Sequence, residues 1–275
     1  MTGVGEPNEL TYAALDDLAF AESRGRLGGD VPKYVVSDLG PIIEMVQLAR
    51  TGLLPLPTSV PWLRLNGSEG LLQAALGSAD GWLSSQSGQV GMLKCKLMES
   101  DPKRWTAFRL EAHKAGLSAG FSSETVSRLM GAMGEIVDNV TEHSEAASTG
   151  VVVFGARSGL FEFVVADSGV GTLASLKSNP EYAHLRDEGD ALQCALTDGE
   201  SRFGKAARRG TGFSQLFKSL ATLSASLRFR SGDHALTMAG KSPTLVNAHV
   251  AKKPRASGFF TSVRCMASDR THARS

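Results

Sequence analysis

Apolar residues recur every three to four positions between residues 123 and 144. Val126, Leu129, Met130, Met133, Val137 and Val140 fall on one stripe of a helix turning ~100° per residue. Glu135, Asp138, Asn139 and Glu142 fall on the opposite stripe, an acidic face with a poor helix former, Asn139, inside it. Glu135 and Asn139 stand four apart, one above the other. A carboxylate and an amide oxygen stacked in this way can hold a hard cation and orient a water. An acidic solvent face is the competing account of the same stripe.

The periodicity changes before and after this helix. Residues 1 to about 30 read as a short, mobile lead-in with a weak helix around 12–23, and Tyr34-Val35-Val36 as a brief strand. Gly40-Pro41 opens a helix through Arg50, stopped by Gly52. Trp62-Leu63-Arg64-Leu65 alternates as a strand does, Asn66-Gly67 turns, and a helix is expected over 68–84. Trp62 and Trp82 read as packing residues. Residues 102–119 predict a helix with Trp105, Phe108, Leu110 and Leu117 as its apolar members. Val151–Phe154 and Leu160–Ala166 predict two strands joined by a loop of hairpin length, hence antiparallel. A helix is expected over 190–196 and another over 214–223. Strands are expected over 226–230 and 259–265, with a turn at Ser231-Gly232-Asp233 before a short segment, 235–238.

Composition narrows the function classes. The chain has 275 residues, 42% of them hydrophobic, enough for one large domain or two modest ones. Its 29 Lys and Arg against 28 Asp and Glu leave a net charge of +1, so no global field points to nucleic acid. Cys95, Cys194 and Cys265 are widely spaced and form no Cys-x-x-Cys pair, as expected of reduced cysteines in a cytoplasmic protein. The polar N-terminus and the lack of a ~20-residue apolar run argue against a signal peptide and a membrane span. Residues 1–100 offer no chemical constellation.

Two glycine motifs follow the acidic helix. Asp167-Ser168-Gly169-Val170-Gly171 ends a strand, and Gly210-Thr211-Gly212 opens a helix. Asp167 can accept hydrogen bonds from an exocyclic amine, and Gly169 and Gly171 allow positive φ and the approach of a flat ring. Gly210 and Gly212 place bare N–H groups at a helix N-terminus, which favours phosphate. With Asn139 and Glu135 as magnesium oxygens, a purine nucleoside triphosphate suits all three motifs. Gly169-Val170-Gly171-Thr172-Leu173-Ala174 also matches a dinucleotide fingerprint, with Asp187, Glu188 and Asp190 near the acidic position. That fingerprint needs a βαβ unit, and the strand here belongs to a hairpin. No Gly-x-x-x-x-Gly-Lys-Ser/Thr loop occurs. Arg202, Lys205, Arg208 and Arg209 read as phosphate-screening charges, with a solvated loop or a nucleic-acid patch as rivals.

In order and setting, Glu135–Ser144 resembles the N-box of the GHKL superfamily of ATPases and kinases. Asp167–Gly171 resembles its G1 box and Gly210–Gly212 its G2 box. The resemblance covers residues 105–266 and implies an α+β fold, a two-layer α/β sandwich of the Bergerat ATP-binding type. There a mixed sheet is covered on one face by helices, here with an N-terminal mixed α/β extension. It divides the chain into an N-terminal region of unknown role (1–100), the ATP-binding domain (101–268) and a tail (269–275). It implies ATP and magnesium as cofactors, Asn139 on the metal, and Asp167 on the adenine amine. Gly169 and Gly171 would line the pocket, and residues 172–209 would form a lid. Arg209, Gly210, Thr211 and Gly212 would bind phosphates. Glu135 occupies the place of the general base and adjoins the metal. His143 reads either as a family-like position or as a packing residue at the helix end.

Departures from the family bear on the reaction. His113, the only histidine before the acidic helix, lacks a phosphoacceptor setting, and no transducer domain is expected after the last strand. The compact form resembles the stand-alone, anti-sigma-like serine kinase branch, although the lid is long for it. The expected activity is ATP hydrolysis or phosphorylation of a partner protein on Ser or Thr. The alternatives are a non-catalytic ATP-dependent switch acting on a partner through residues 1–100, and a Rossmann-like NAD enzyme. A regulatory protein partner is expected, no nucleic acid or membrane is, and a homodimer stays open.

Overall fold

The computed structural model describes residues 6–28, 31–84, 89–197, 216, 217, 220 and 223–267. The chain begins with β1 (Asn8–Glu9), α1 (Tyr12–Ser23), β2 (Tyr34–Val35), α2 (Leu39–Arg50) and β3 (Leu63–Arg64). Then come α3 (Glu69–Leu76), β4 (Gly81–Leu83), β5 (Val90–Lys94), α4 (Leu97–Ser100), α5 (Pro102–Ser118) and α6 (Ser123–His143). The hairpin β6 (Val151–Arg157) and β7 (Leu160–Ala166) follows, then α7 (Gly171–Lys177) and α8 (Glu188–Leu196). Two long strands, β8 (Ser224–Lys241) and β9 (His249–Met266), complete the described fold.

β1, β2 and β3 form a small parallel sheet, and six strands form a second sheet in the order β4-β5-β6-β7-β9-β8. Every pairing in the larger sheet is antiparallel, where the resemblance implied a mixed one. Its strands are apolar at successive positions, because both faces are covered. Val152, Phe154, Phe161, Phe163, Val165 and Val263 face the core built with α5 and α6. Val151, Val153, Val164, Ala166 and Phe260 face a second core built with α1, α2 and α3. The first hundred residues therefore add a third layer to the expected two. They also supply β4 and β5, so the expected boundary at residue 100 falls after two of the six strands.

Four local expectations need correction. The helix over 68–84 stops at Leu76, where Gly77 ends it, and Trp82 lies in β4 packed against the second core. Asn8 and Glu9 pair in the small sheet and Leu10 is buried, so the lead-in is part of the fold. Ser231-Gly232-Asp233 is a register shift inside one continuous strand, where a turn was expected. Leu110 and Leu117 are 52% and 41% exposed, because α5 packs through Trp105, Phe108, Ala112, Ala115 and Gly116. Small residues on that face let α5 lie close to α6 and the sheet.

Polar side chains fasten α2 to the back of the sheet. Leu39 N–H donates to the Glu162 carboxylate at 3.1 Å, and Arg157 reaches Asp38 at 2.8 Å. Glu44, wholly buried, accepts from Arg228 Nε at 2.6 Å, Arg228 Nη2 at 2.8 Å and Arg230 Nη1 at 2.7 Å. Asp16 of α1 accepts from Arg228 at 2.7 Å and pairs with Lys253 at 2.7 Å. Burial pushes the Glu44 carboxyl up, but the two guanidinium groups outweigh it and hold the carboxyl below its usual range. Among the described residues, no helix is long and apolar enough to cross a membrane.

Candidate functional site

The site grows from the two ends of α6. Ser122 caps its N-terminus by accepting the Thr125 N–H at 3.2 Å. The expected apolar stripe is buried throughout, joined by Ala132 and Ile136. On the other side, Glu135 and Glu142 are exposed, and Asp138 and Asn139 are half-buried. Burial raises the Asp138 carboxyl, with Glu135, Glu142 and Glu99 adding to the rise and Arg109 opposing it. The acidic stripe therefore carries a field of one sign, tempered by one arginine from α5.

At its C-terminal end, α6 meets the turn after β7. Val170 N–H donates to Ser144 O at 3.0 Å, and Ser168 N–H donates to Thr149 Oγ1 at 2.9 Å. Asn139 lies five residues before Ser144, about 7–8 Å along the helix axis. The fold thus brings Asn139 and the Asp167 turn to one end of the molecule. Glu135 stands one helical turn further back.

Asp167 is 2% exposed. Its carboxylate accepts the Gly169 N–H at 2.7 Å, and its own N–H donates to Phe259 O at 3.0 Å. Burial pushes its pKa up to about 6, against the pull of the Gly169 and Phe259 backbone groups. Close by, Thr261 of β9 pairs with Val165 and Phe229, both on the α6 side of the sheet. Cross-strand partners share a face, so Thr261 faces the same side as Val165 and, two residues on, Asp167. The Thr261 hydroxyl is buried without a hydrogen-bond partner, and so is that of Ser168. Buried hydroxyls are normally satisfied. Thr261 was invisible as a candidate in the sequence, where it is one threonine in an apolar strand.

The glycines serve the chain itself. Of the two glycines expected to allow positive φ, Gly171 takes φ +81° and Gly169 does not; a Cβ on Gly171 would lie 2.8 Å from Ser231 Oγ. A Cβ on Gly169 would come within 2.0 Å of Ser144 O, so the bare backbone admits another strand of chain there. After Gly171, α7 is tied back to the sheet. Thr172 N–H donates to Ser231 Oγ at 2.8 Å, Leu173 N–H to Glu188 at 3.1 Å, and Ser231 Oγ–H to Glu188 at 2.8 Å. Leu176, Tyr182, Leu185 and Ala191 give α7 and α8 a small core of their own. The dinucleotide fingerprint does open α7, but β7 lies between two antiparallel neighbours, and no parallel βαβ unit forms there.

Arg209, Gly210, Thr211 and Gly212 lie outside the described residues, with Arg202, Lys205, Arg208 and most of the helix expected over 214–223. Leu216 and Leu220 are buried in the α6-side core. His113 Nε2 contacts Ser127 Oγ at 3.2 Å, a packing contact between α5 and α6. No disulfide joins Cys95, Cys194 and Cys265, and Cys95 and Cys265 are buried. Among the described residues, no three His, Cys, Asp or Glu side chains converge as a metal group. A magnesium ion bridging phosphates asks for fewer, since it keeps its waters and takes one or two protein oxygens. Asn139, half-buried, and Glu135, exposed, offer one amide oxygen and one carboxylate on the same stripe of α6.

No protein-family model matches the chain, and no curated protein does.

The Asp167 carboxyl yields a signed pH prediction. Its folded pKa, about 6, lies above the ordinary 3.8. The folded state therefore favours the protonated form, and the cost in stability grows as pH rises from 3.8 and is complete above about 6. The rise corresponds to about 3 kcal/mol as an upper bound. Asp167→Asn is expected to be more stable than the parent at pH 8, with the gain shrinking towards pH 4. Urea denaturation at the two pH values checks this, and an equal difference at both would refute it.

Proposed function

We propose that the chain is a magnesium-dependent ATP-binding protein of the GHKL type, built on a Bergerat-like layer of β5–β9, α5 and α6. The observation that carries the proposal is the meeting of the Asp167 turn with the end of α6 through Val170 and Ser144. It sets a buried carboxylate on the same end of the molecule as the open Asn139–Glu135 stripe. Asp167 would accept the adenine amine, with the unpartnered Thr261 hydroxyl beside it as a further polar contact. Asn139 and Glu135 would hold magnesium, which supplies charge neutralisation for the phosphates. Residues 172–209 would act as the lid, and Arg209, Gly210, Thr211 and Gly212 would bind phosphate. The reaction would be ATP hydrolysis or phosphoryl transfer to a Ser or Thr of a regulatory partner, with Glu135 as base.

One observation favours the non-catalytic switch over turnover. Glu135 is exposed and has no hydrogen bond or ion pair among the described residues. A general base is ordinarily oriented by a neighbour. The two readings separate in one pair of variants. Asn139→Ala is expected to weaken magnesium–ATP binding about tenfold or more by thermal shift titration, the cost of one lost metal-directed oxygen. Glu135→Gln keeps an oxygen for the metal but loses the charge, so it should still bind magnesium–ATP, more weakly than the parent. If phosphate release or partner labelling then falls about a hundredfold, Glu135 is the base; if the parent shows neither activity, the switch reading holds. A parent without any ATP-dependent shift would end both readings.

A further inference from the structure

Gln47 connects the back layer to the candidate site. It sits on α2, one turn after Glu44, and is 3% exposed. Its amide Nε2 donates to Asp167 O at 2.8 Å and to Ser257 O at 2.9 Å. The peptide from Asp167 to Ser168 is thereby gripped at both ends, because its N–H is held by Thr149 Oγ1 at 2.9 Å. The preceding N–H is held by Phe259 O. Of these grips, only Gln47 comes from the N-terminal layer. With three backbone groups fixed, the direction in which the Asp167 carboxylate leaves the chain is fixed as well.

The other end of the same amide is telling. Gln47 Oε1 is buried and has no partner. A buried amide left half-satisfied is poor material for a core. An apolar side chain of similar length would fill the space without an orphaned acceptor. The two N–H groups spent on Asp167 O and Ser257 O are what the glutamine offers in return.

We infer that Gln47 is a positioning residue through which the N-terminal layer sets the affinity of the Asp167 site for the adenine amine. The inference rests on the ATP reading above. Because Gln47 bonds the Asp167 carbonyl directly, a shift of α2 moves Asp167 with it, and the Glu44 clamp to Arg228 and Arg230 sets the resting position of the helix. Linkage makes the effect reciprocal: nucleotide at Asp167 steadies α2 on the far side of the sheet.

The test compares ATP with purine riboside triphosphate, which lacks the 6-amino group, on the full chain with magnesium. The parent is expected to prefer ATP. Gln47→Met should lose about tenfold in ATP affinity and bind purine riboside triphosphate within about twofold of the parent, collapsing the preference. A variant that weakens both nucleotides equally, or neither, overturns the inference. A second measurement uses the parent alone, should the variant fail to fold. Magnesium–ATP is expected to slow amide hydrogen exchange in residues 39–50 as well as in 167–171, and protection confined to 167–171 overturns the inference. A parent that binds neither nucleotide points to a different failure, that of the ATP reading itself.

Discussion

Glu44→Ala is expected to destabilise the protein by about 3–5 kcal/mol, read as the urea midpoint multiplied by its slope. Glu44 is wholly buried and accepts three hydrogen bonds from two arginines that are themselves 2% and 1% exposed. Its removal leaves two guanidinium groups facing one remaining carboxylate, Asp16, in a site closed to water. Desolvating an ion is costly, and the mutual attraction offsets that cost only while the partners are present. The sign with pH follows from the depressed Glu44 carboxyl. Its contribution is complete above the ordinary 4.5 and is lost as pH falls through the lower folded value. The acid limb of the stability curve should therefore be shallower in Glu44→Ala than in the parent. A loss below about 1 kcal/mol would mean that solvent reaches the cluster, as it does at surface pairs.

Gly258→Ala is expected to cost about 3 kcal/mol or more and to displace the Asp167 turn. Gly258 takes φ +80°, and a Cβ there would lie 2.0 Å from Asp167 O. The left-handed backbone alone costs an L-residue about 1–2 kcal/mol; the clash is with main chain and cannot be relieved by a rotamer change. Gly159→Ala is the control, since Gly159 takes φ +72° with nothing within 4 Å of the added methyl. It should lose only the conformational part. Denaturant midpoints of the two variants isolate the contact at Asp167. Equal losses would show that the 258–259 chain gives way easily, and that the turn is not clamped from that side.

The acidic helix shows where sequence and structure part company. Its apolar stripe was legible because helical period is a local property, repeated within 22 residues and written twice over by Val126, Met130, Met133 and Val137. The hairpin of β6 and β7 was legible for the same reason, as two β-branched runs around a short loop. Thr261 and Gln47 were not. Each matters through a partner 94 or more residues away in the chain, and no window of neighbouring residues records that distance. The turn expected at 231–233 failed in a related way. Ser-Gly-Asp is turn chemistry by composition, and Gly232 does take φ +51°, but pairing with β9 resumes on both sides, so the three residues make a bulge within one strand.

The sequence by itself determined α2, α5 and α6, the antiparallel hairpin, the buried face of α6, and the candidate carboxylate at the end of β7, but neither β4 nor β5. These follow from periodicity and from residue chemistry at fixed short spacings. The tertiary structure alone decided that the first hundred residues close the back of the sheet, where Glu44, Arg228 and Arg230 share one desolvated cluster. It also decided that α2 touches Asp167. Burial and long-range pairing assign those roles, and both depend on which surfaces meet once the chain has folded.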